Sequence, residues 1–146
     1  MDDVPRRMAA RSDWLISQLA VHVRRLAFAS FDSVGARGYH YRILAVLAEV
    51  GPASQAELGR RGRIDRSDVV TAVNELVERG FVERLPDPEH GRRNRVILTS
   101  GGAQQLRRLD DALDQMQDTL LEPLSGEERQ ALTDLLTRVL AQHESR

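Results

Sequence analysis

The chain contains no cysteine, which removes disulfides, thiolate metal sites and thiol redox sensing together. Any signal it senses is therefore non-covalent or acts through another side chain. It contains no lysine either: all 21 basic residues are arginine. Arginine forks onto phosphate and guanine edges better than lysine does, but so uniform a replacement is read more economically as codon bias in a GC-rich genome. No run approaches the roughly 18 apolar residues of a membrane span, and the opening MDDVPRRMAARSDW lacks the apolar stretch of a secretory signal. The expected compartment is the cytoplasm. No HExxH motif or glycine-rich phosphate loop occurs, and His22, His40, His90 and His143 are scattered. An enzyme, a metal site and a cofactor are all unexpected on these grounds.

What remains is an ordinary globular composition, 41% hydrophobic and 29% charged over 146 residues, which predicts one folded unit per chain. The net charge is −1, so the total does not point to a polyanion partner. Its distribution is uneven. Residues 1–50 carry seven arginines against five acidic residues, a net +2, whereas residues 103–146 carry five against nine, a net −4.

Periodicity predicts helices. From Ser12, Leu15, Leu19, Val23 and Leu26 recur at helical spacing until Asp32-Ser33-Val34-Gly35. A second helix spans roughly His40 to Val50 and stops at Gly51-Pro52. Ser54-Gln-Ala-Glu57 is a capping-box pattern opening a short third helix that closes near Gly62. Asp65 is the expected cap of a fourth, with the stripe Val69, Val73, Leu76, Val77 and a stop at Gly80. Later, Leu106, Leu109, Leu113, Met116 and Leu120 follow a heptad seam on an otherwise acidic helix, which predicts a solvated helix with one stripe to hide. After Pro123, Ser125-Gly-Glu-Glu128 is a second capping box, opening a last helix with Leu132, Leu135, Leu136, Val139 and Leu140.

Between the fourth and fifth helices lies RLPDPEHGRRNRVILTSGG. Phe81 to Leu85 and Arg95 to Leu98 read as strands, and Pro86, Pro88 and Gly91 supply turn chemistry, with reversal near His90-Gly91. The tip carries Arg92, Arg93 and Arg95 with almost nothing apolar among them, so burial does not hold it. Two short capped helices followed by an arginine-tipped hairpin are the parts of a winged helix-turn-helix. With Val69, Val73 and Leu76 inward, 100° per residue turns Ser67, Asp68, Thr71 and Glu75 outward with Asn74 at the flank. Arg66, Ser67, Asp68, Thr71 and Asn74 are then placed for a major groove. Ser54, Arg60 and Arg63 are within reach of phosphates, and the wing arginines face the adjacent minor groove. Asp65 reads equally as a helix-dipole partner, and Asp68 either stabilises the helix start or accepts from a cytosine amino group. Any one of the arginines, among Glu75, Glu78, Glu83, Asp87 and Glu89, also fits a salt-bridged surface.

Asp65-Arg66-Ser67-Asp68-Val69-Val70, Leu76-Val77-Glu78-Arg79-Gly80-Phe81-Val82-Glu83-Arg84, Asp87-Pro88-Glu89, Arg92 and Leu98-Thr99-Ser100-Gly101-Gly102 together resemble the signature of the MarR family of bacterial transcriptional regulators. The resemblance implies a mainly α fold with a small β wing: a winged helix-turn-helix over 36–102, flanked by dimerisation helices at 1–35 and 103–146. It implies a homodimer through Leu15, Leu19, Leu113, Met116, Leu120, Leu132 and Leu136. The implied partners are double-stranded DNA, a second copy of the chain, and a small anionic aromatic ligand near the junction of the two parts. His22, Arg25, Phe28, His40 and Tyr41 supply the mixed basic and aromatic groups that suit such a ligand. His90-Gly91 stand where the family has Asp-Arg, so the wing's usual ion pair cannot form in the same way, and Arg93 and Arg95 share or substitute for the work of Arg92. The rival reading is a winged-helix module that binds only protein; a missing wing arginine or an apolar recognition face would favour it, and the sequence has neither.

Overall fold

The computed structural model describes residues 1–89, 91 and 94–145. Contacts divide the chain into two units, Met1–Leu113 and Asp114–Arg146. The first opens with a single helical turn, α1 (Arg6–Ala9), and a long helix, α2 (Ser12–Ser33). Then follow α3 (Gly38–Val50), a two-residue strand β1 (Ala53–Ser54), α4 (Gln55–Gly62) and α5 (Arg66–Glu78). The hairpin is β2 (Val82–Pro86) and β3 (Asn94–Leu98), and α6 (Ser100–Leu120) leaves it. The sheet is antiparallel in the order β1-β3-β2, with Ala53 opposite Val96 and Arg84 opposite Val96 on the other side. The fold is a winged helix-turn-helix, helical apart from the small sheet.

One apolar core explains the arrangement. Ile43 and Leu44 of α3, Leu58 of α4, Val69, Val73 and Leu76 of α5, Val82, Val96, and Leu109 of α6 are all sealed from water. Each such side chain stabilises the folded state by about 1.5–3 kcal/mol relative to exposure. The stripe expected on the fourth helix is thus the inward face of α5. Between α4 and α5 the chain turns through Arg63, a non-glycine residue in the left-handed region at φ 54°, a conformation that costs on the order of 1 kcal/mol. Arg42 braces it, donating to the carbonyls of Gly62 at 3.4 Å and Arg63 at 3.2 Å, which gives the end of α4 partners its own helix cannot supply.

Two cap expectations change in detail, while the expectation for α6 holds and gains detail. The Ser54 hydroxyl accepts from the Glu57 amide at 3.1 Å, but the Glu57 carboxylate takes Arg61 at 3.0 Å instead of closing the box. Asp65 occupies the cap position of α5 without a side-chain capping bond, so its contribution is the charge at the helix's positive end. The first half of α6 hides the expected stripe and leaves Arg107, Arg108, Asp110 and Asp111 exposed. Leu109 is sealed, Leu106 packs on the core, and Gln105, also buried, donates to the Val34 carbonyl at 3.0 Å. Gly102 makes this close approach possible: a Cβ there would stand 2.0 Å from the Phe81 carbonyl oxygen. Thr99 secures the joint, its hydroxyl donating to the Gly80 carbonyl at 2.7 Å and accepting from the Gly102 amide at 3.0 Å. The first unit, Met1–Leu113, includes this half of α6.

The second unit holds the end of α6 and α7 (Gly126–Glu144). Here the capping box is complete: Ser125 Oγ accepts from the Glu128 amide at 3.2 Å, and the Glu128 carboxylate accepts from the Ser125 amide at 3.0 Å. These bonds hold the Glu128 carboxyl below its ordinary pKa. No residue of α7 is buried, and Leu135, Leu136, Val139 and Leu140 are all about half exposed or more. Among the described residues no helix is long and apolar enough to cross a membrane.

Candidate nucleic-acid interface

The core-facing stripe of α5 fixes what its other side offers. Arg66, Ser67, Val70, Thr71 and Asn74 are exposed and Asp68 is half-buried. Four of the five recognition-helix candidates, Arg66, Ser67, Thr71 and Asn74, are thus on the open side, with Asn74 farther along the helix, and Asp68 lies at the edge beside α3. Thr71 turns its hydroxyl proton back to the Ser67 carbonyl at 3.2 Å, which leaves the hydroxyl oxygen as an acceptor. Val70, 39% exposed, stands among them as an apolar group without an internal reason to be on the surface.

Glu75 differs from the helical-wheel expectation. It faces the start of α3, where its carboxylate meets His40 Nε2 at 2.6 Å and the Arg37 guanidinium at 3.4 Å. The physical reason is the packing of α3 across α5, which a single-helix projection cannot include. His40 is only 4% exposed, and its Nδ1 accepts from the Arg37 amide at 3.4 Å. That bond fixes the proton of the neutral ring on Nε2, aimed at Glu75. Burial lowers the His40 pKa below its ordinary value, against the opposing pull of Glu75. A cleft of about 290 Å³ between these helices is lined by Arg37, Tyr39, His40, Asp68, Thr71 and Glu75.

At the other flank of α5, Arg84 of β2 reaches two elements at once. Its Nη2 donates to Asn74 Oδ1 at 2.5 Å, and Nε and Nη2 both lie 3.3 Å from Gln55 Oε1. Sequence reasoning missed this cluster, because three elements must fold before its members meet. The alternation of β2 held a signal: Arg84 shares the face of sealed Val82, so it points back toward the helices.

Of the phosphate candidates, Ser54 uses its oxygen for the α4 cap and keeps its hydroxyl proton to donate. Arg60 is exposed and 4.0 Å from Glu57, and Arg63 is exposed at the left-handed turn. Arg95 is exposed on β3 opposite Ser54 and Leu85. Arg92 and Arg93, with the turn at His90, lie outside the described residues. The five ligand candidates are dispersed. His22 and Arg25 lie on the exposed side of α2 with Arg25 Nη2 3.3 Å from His22 Nδ1, and Phe28 is 73% exposed. Tyr41 stacks on Phe31 with ring centroids 6.2 Å apart. His40 has both ring nitrogens engaged, so a ligand would reach it only by displacing Glu75 or the Arg37 amide. Among the dimerisation candidates Leu19 and Leu136 are strongly exposed, and Leu15, Leu113, Met116, Leu120 and Leu132 are half-buried.

An open recognition helix, a bracing α3–α4 pair and a wing define a DNA-reading module of the winged helix-turn-helix class. The sequence model of the MarR family matches residues 35–93. A putative transcriptional regulatory protein for the hcr operon of Thauera aromatica is 31% identical over 136 residues, covering 88% of this chain and 82% of that protein. The structure of a mutant E. coli MarR complexed with operator DNA superposes with a TM-score of 0.74 at 25% identity, over 86% of this chain and 91% of that one. The Streptomyces coelicolor PcaV regulator in complex with its natural ligand gives 0.72 at 26% identity, over 97% and 98%. The chain belongs to the MarR family of transcriptional regulators.

Proposed function

We propose that this regulator is a ligand-responsive repressor that binds a palindromic operator as a homodimer. The observation that carries the DNA part is the open side of α5, where Arg66, Ser67, Thr71 and Asn74 are exposed with no core to serve. Asp68 stands beside them, Ser54, Arg60 and Arg63 contact phosphates, and Arg92 of the wing enters the adjacent minor groove, with Arg93 and Arg95 sharing or substituting for its work. The similarity to a regulator solved on operator DNA supports the same geometry. Gel-shift and footprinting with fragments from around the gene test it. Protection of two half-sites about one helical turn apart is the expected result, and binding to no DNA would favour the protein-only module. Arg92→Ala is expected to lower the slope of log affinity against log salt by about 0.9 for each phosphate that the arginine neutralises in each subunit. A larger effect of Arg93→Ala would mean that the altered wing inserts a different arginine.

The dimer rests on a second observation. Ile16, Leu19, Val21 and Phe28 on α2 and Leu135, Leu136, Val139 and Leu140 on α7 are all 45% exposed or more, and large apolar groups repeated along a helix mark a contact face. Burial of these faces, with Leu15, Leu113, Met116, Leu120 and Leu132, against a second copy accounts for them. Sedimentation at micromolar concentration should show a dimer; a stable monomer with full operator affinity would refute it. The effector is a small anionic aromatic, taken by the exposed His22, Arg25 and Phe28 of α2, with His40 and Tyr41 joining only if the ligand displaces their present partners. Its test is release of the operator fragment by a panel of aromatic carboxylates, and loss of that release in Arg25→Ala.

A further inference from the structure

The cluster that Arg84 makes with Gln55 and Asn74 has a chemical consequence for what α5 can read. A guanidinium only donates, so both carbonyl oxygens must be turned toward it. The Oδ1 of Asn74, held at 2.5 Å by Arg84 Nη2, is occupied by a charge-assisted bond, roughly twice as strong as a neutral one. The carbonyl oxygen of exposed Asn74 is thus directed at Arg84, and the end of the amide turned away from Arg84 is its N–H donors. Gln55 is polarised in the same sense, its Oε1 shared by two nitrogens of the same guanidinium.

An asparagine free to rotate reads adenine, giving its oxygen to the N6 amino group and its amine to N7. That pairing needs the oxygen. We propose that Arg84 is a positioning residue for specificity: it fixes Asn74 as a donor-only reader, so the operator base facing Asn74 is guanine, whose major-groove edge offers the two acceptors N7 and O6. Adenine at that position meets one donor with its N7 and leaves its own amino group without a partner, and cytosine opposes donor to donor. This inference rests on the reading of α5 as the base-contacting helix. It adds a base identity and names a strand residue, outside the recognition helix, as the one that sets it.

Selection from randomised operators followed by sequencing tests it. Asn74→Ala first locates the position, as the one base pair per half-site whose preference disappears. The parent should prefer guanine there by about five- to a hundredfold over adenine. Arg84→Met, which keeps the side chain's reach but frees the Asn74 oxygen, should move the preference at that one position toward adenine. A role confined to stability or to phosphate contact would instead weaken binding to all sequences and leave the preferred base unchanged. Should Arg84→Met fail to fold, Asn74→Asp at an exposed position serves: Arg84 holds one carboxylate oxygen and the other becomes an acceptor, so the preference should pass from guanine to cytosine. The proposal is overturned if the parent selects adenine at the Asn74 position, if folded Arg84→Met keeps guanine, or if Asn74→Asp does not gain cytosine. It is equally overturned if a defined operator is selected with no position depending on Asn74. Failure of the protein to select any operator would overturn the DNA-reading function itself, a separate outcome.

Discussion

Two adjacent glycines at the start of α6 should respond oppositely to the same substitution. At Gly102 an added Cβ would lie 2.0 Å from the Phe81 carbonyl oxygen and 2.7 Å from Leu98 Cδ1, whereas at Gly101 the nearest atom is 3.6 Å away. Reaching an ordinary contact of about 3.4 Å from 2.0 Å means moving backbone against backbone by more than an ångström. Such a forced shift in a packed joint costs about 1–3 kcal/mol. It also pulls on the bond from buried Gln105 to the Val34 carbonyl, 3.0 Å long, and a buried group left without its partner costs about 1–3 kcal/mol more. Alanine's better helix propensity returns about 1 kcal/mol. The net for Gly102→Ala is a loss of about 1–5 kcal/mol, and at roughly 2–4 °C per kcal/mol for a chain of this length the Tm should fall by about 2–20 °C. Gly101→Ala keeps only the propensity gain and should leave the Tm unchanged or slightly raised. Calorimetry at one fixed protein concentration measures both, since association also shifts Tm. Equal Tm changes for the two variants, or a Gly102→Ala protein as stable as the parent, would refute the close-approach argument.

The same joint shows why the sequence was only partly legible. Helices α2, α3, α5 and α7 are visible because their apolar residues recur along one segment, and period is a local property. The burial of α6 is different in kind. It depends on Gly102 and Gln105, residues without a hydrophobic signature, meeting Phe81 and Val34 from elsewhere in the chain. Strand β1 fails for a related reason: Ala53 and Ser54 follow Gly51-Pro52 and look like turn, and they become strand only by pairing with Val96 and Arg95. On the functional surface, the wheel put Ser67 and Thr71 on the open side with Asn74 at its flank, and all three are exposed. It also put Glu75 there, because a wheel cannot know that His40 and Arg37 will arrive from α3. Arg84 belongs to the family pattern, but the pattern gives it no task. Its task is defined only when α4, α5 and β2 converge.

Two further predictions concern the cleft beside α5. The depressed His40 pKa makes the folded state bind this proton less readily than the unfolded chain. Stability from the neutral ring is therefore complete above the ordinary value of 6.5 and is lost as pH falls from there through the depressed value. Urea titrations below pH 6.5 should show that slope, reduced in His40→Gln; the same slope in both proteins would assign it to other groups, with Glu75, Arg37 and Arg79 the charges that face the ring. The second prediction decides between the two roles left open for Asp68. It is the third residue of α5, half-buried, and lines the cleft with Arg37, His40 and Thr71, so its carboxylate lies at the positive end of the helix. A first-turn carboxylate stabilises a helix by about 0.3–1 kcal/mol, so Asp68→Asn should lower the Tm by about 1–4 °C. Removing a negative charge near phosphates should also tighten binding to every DNA sequence at low salt. The operators selected should stay those of the parent, because Asp68 is half-buried and lines the cleft. A cytosine contact predicts the reverse: a C·G preference at one position per half-site that disappears in Asp68→Asn while the Tm stays where it was. That pair of results would assign Asp68 to base reading and overturn its role at the helix start.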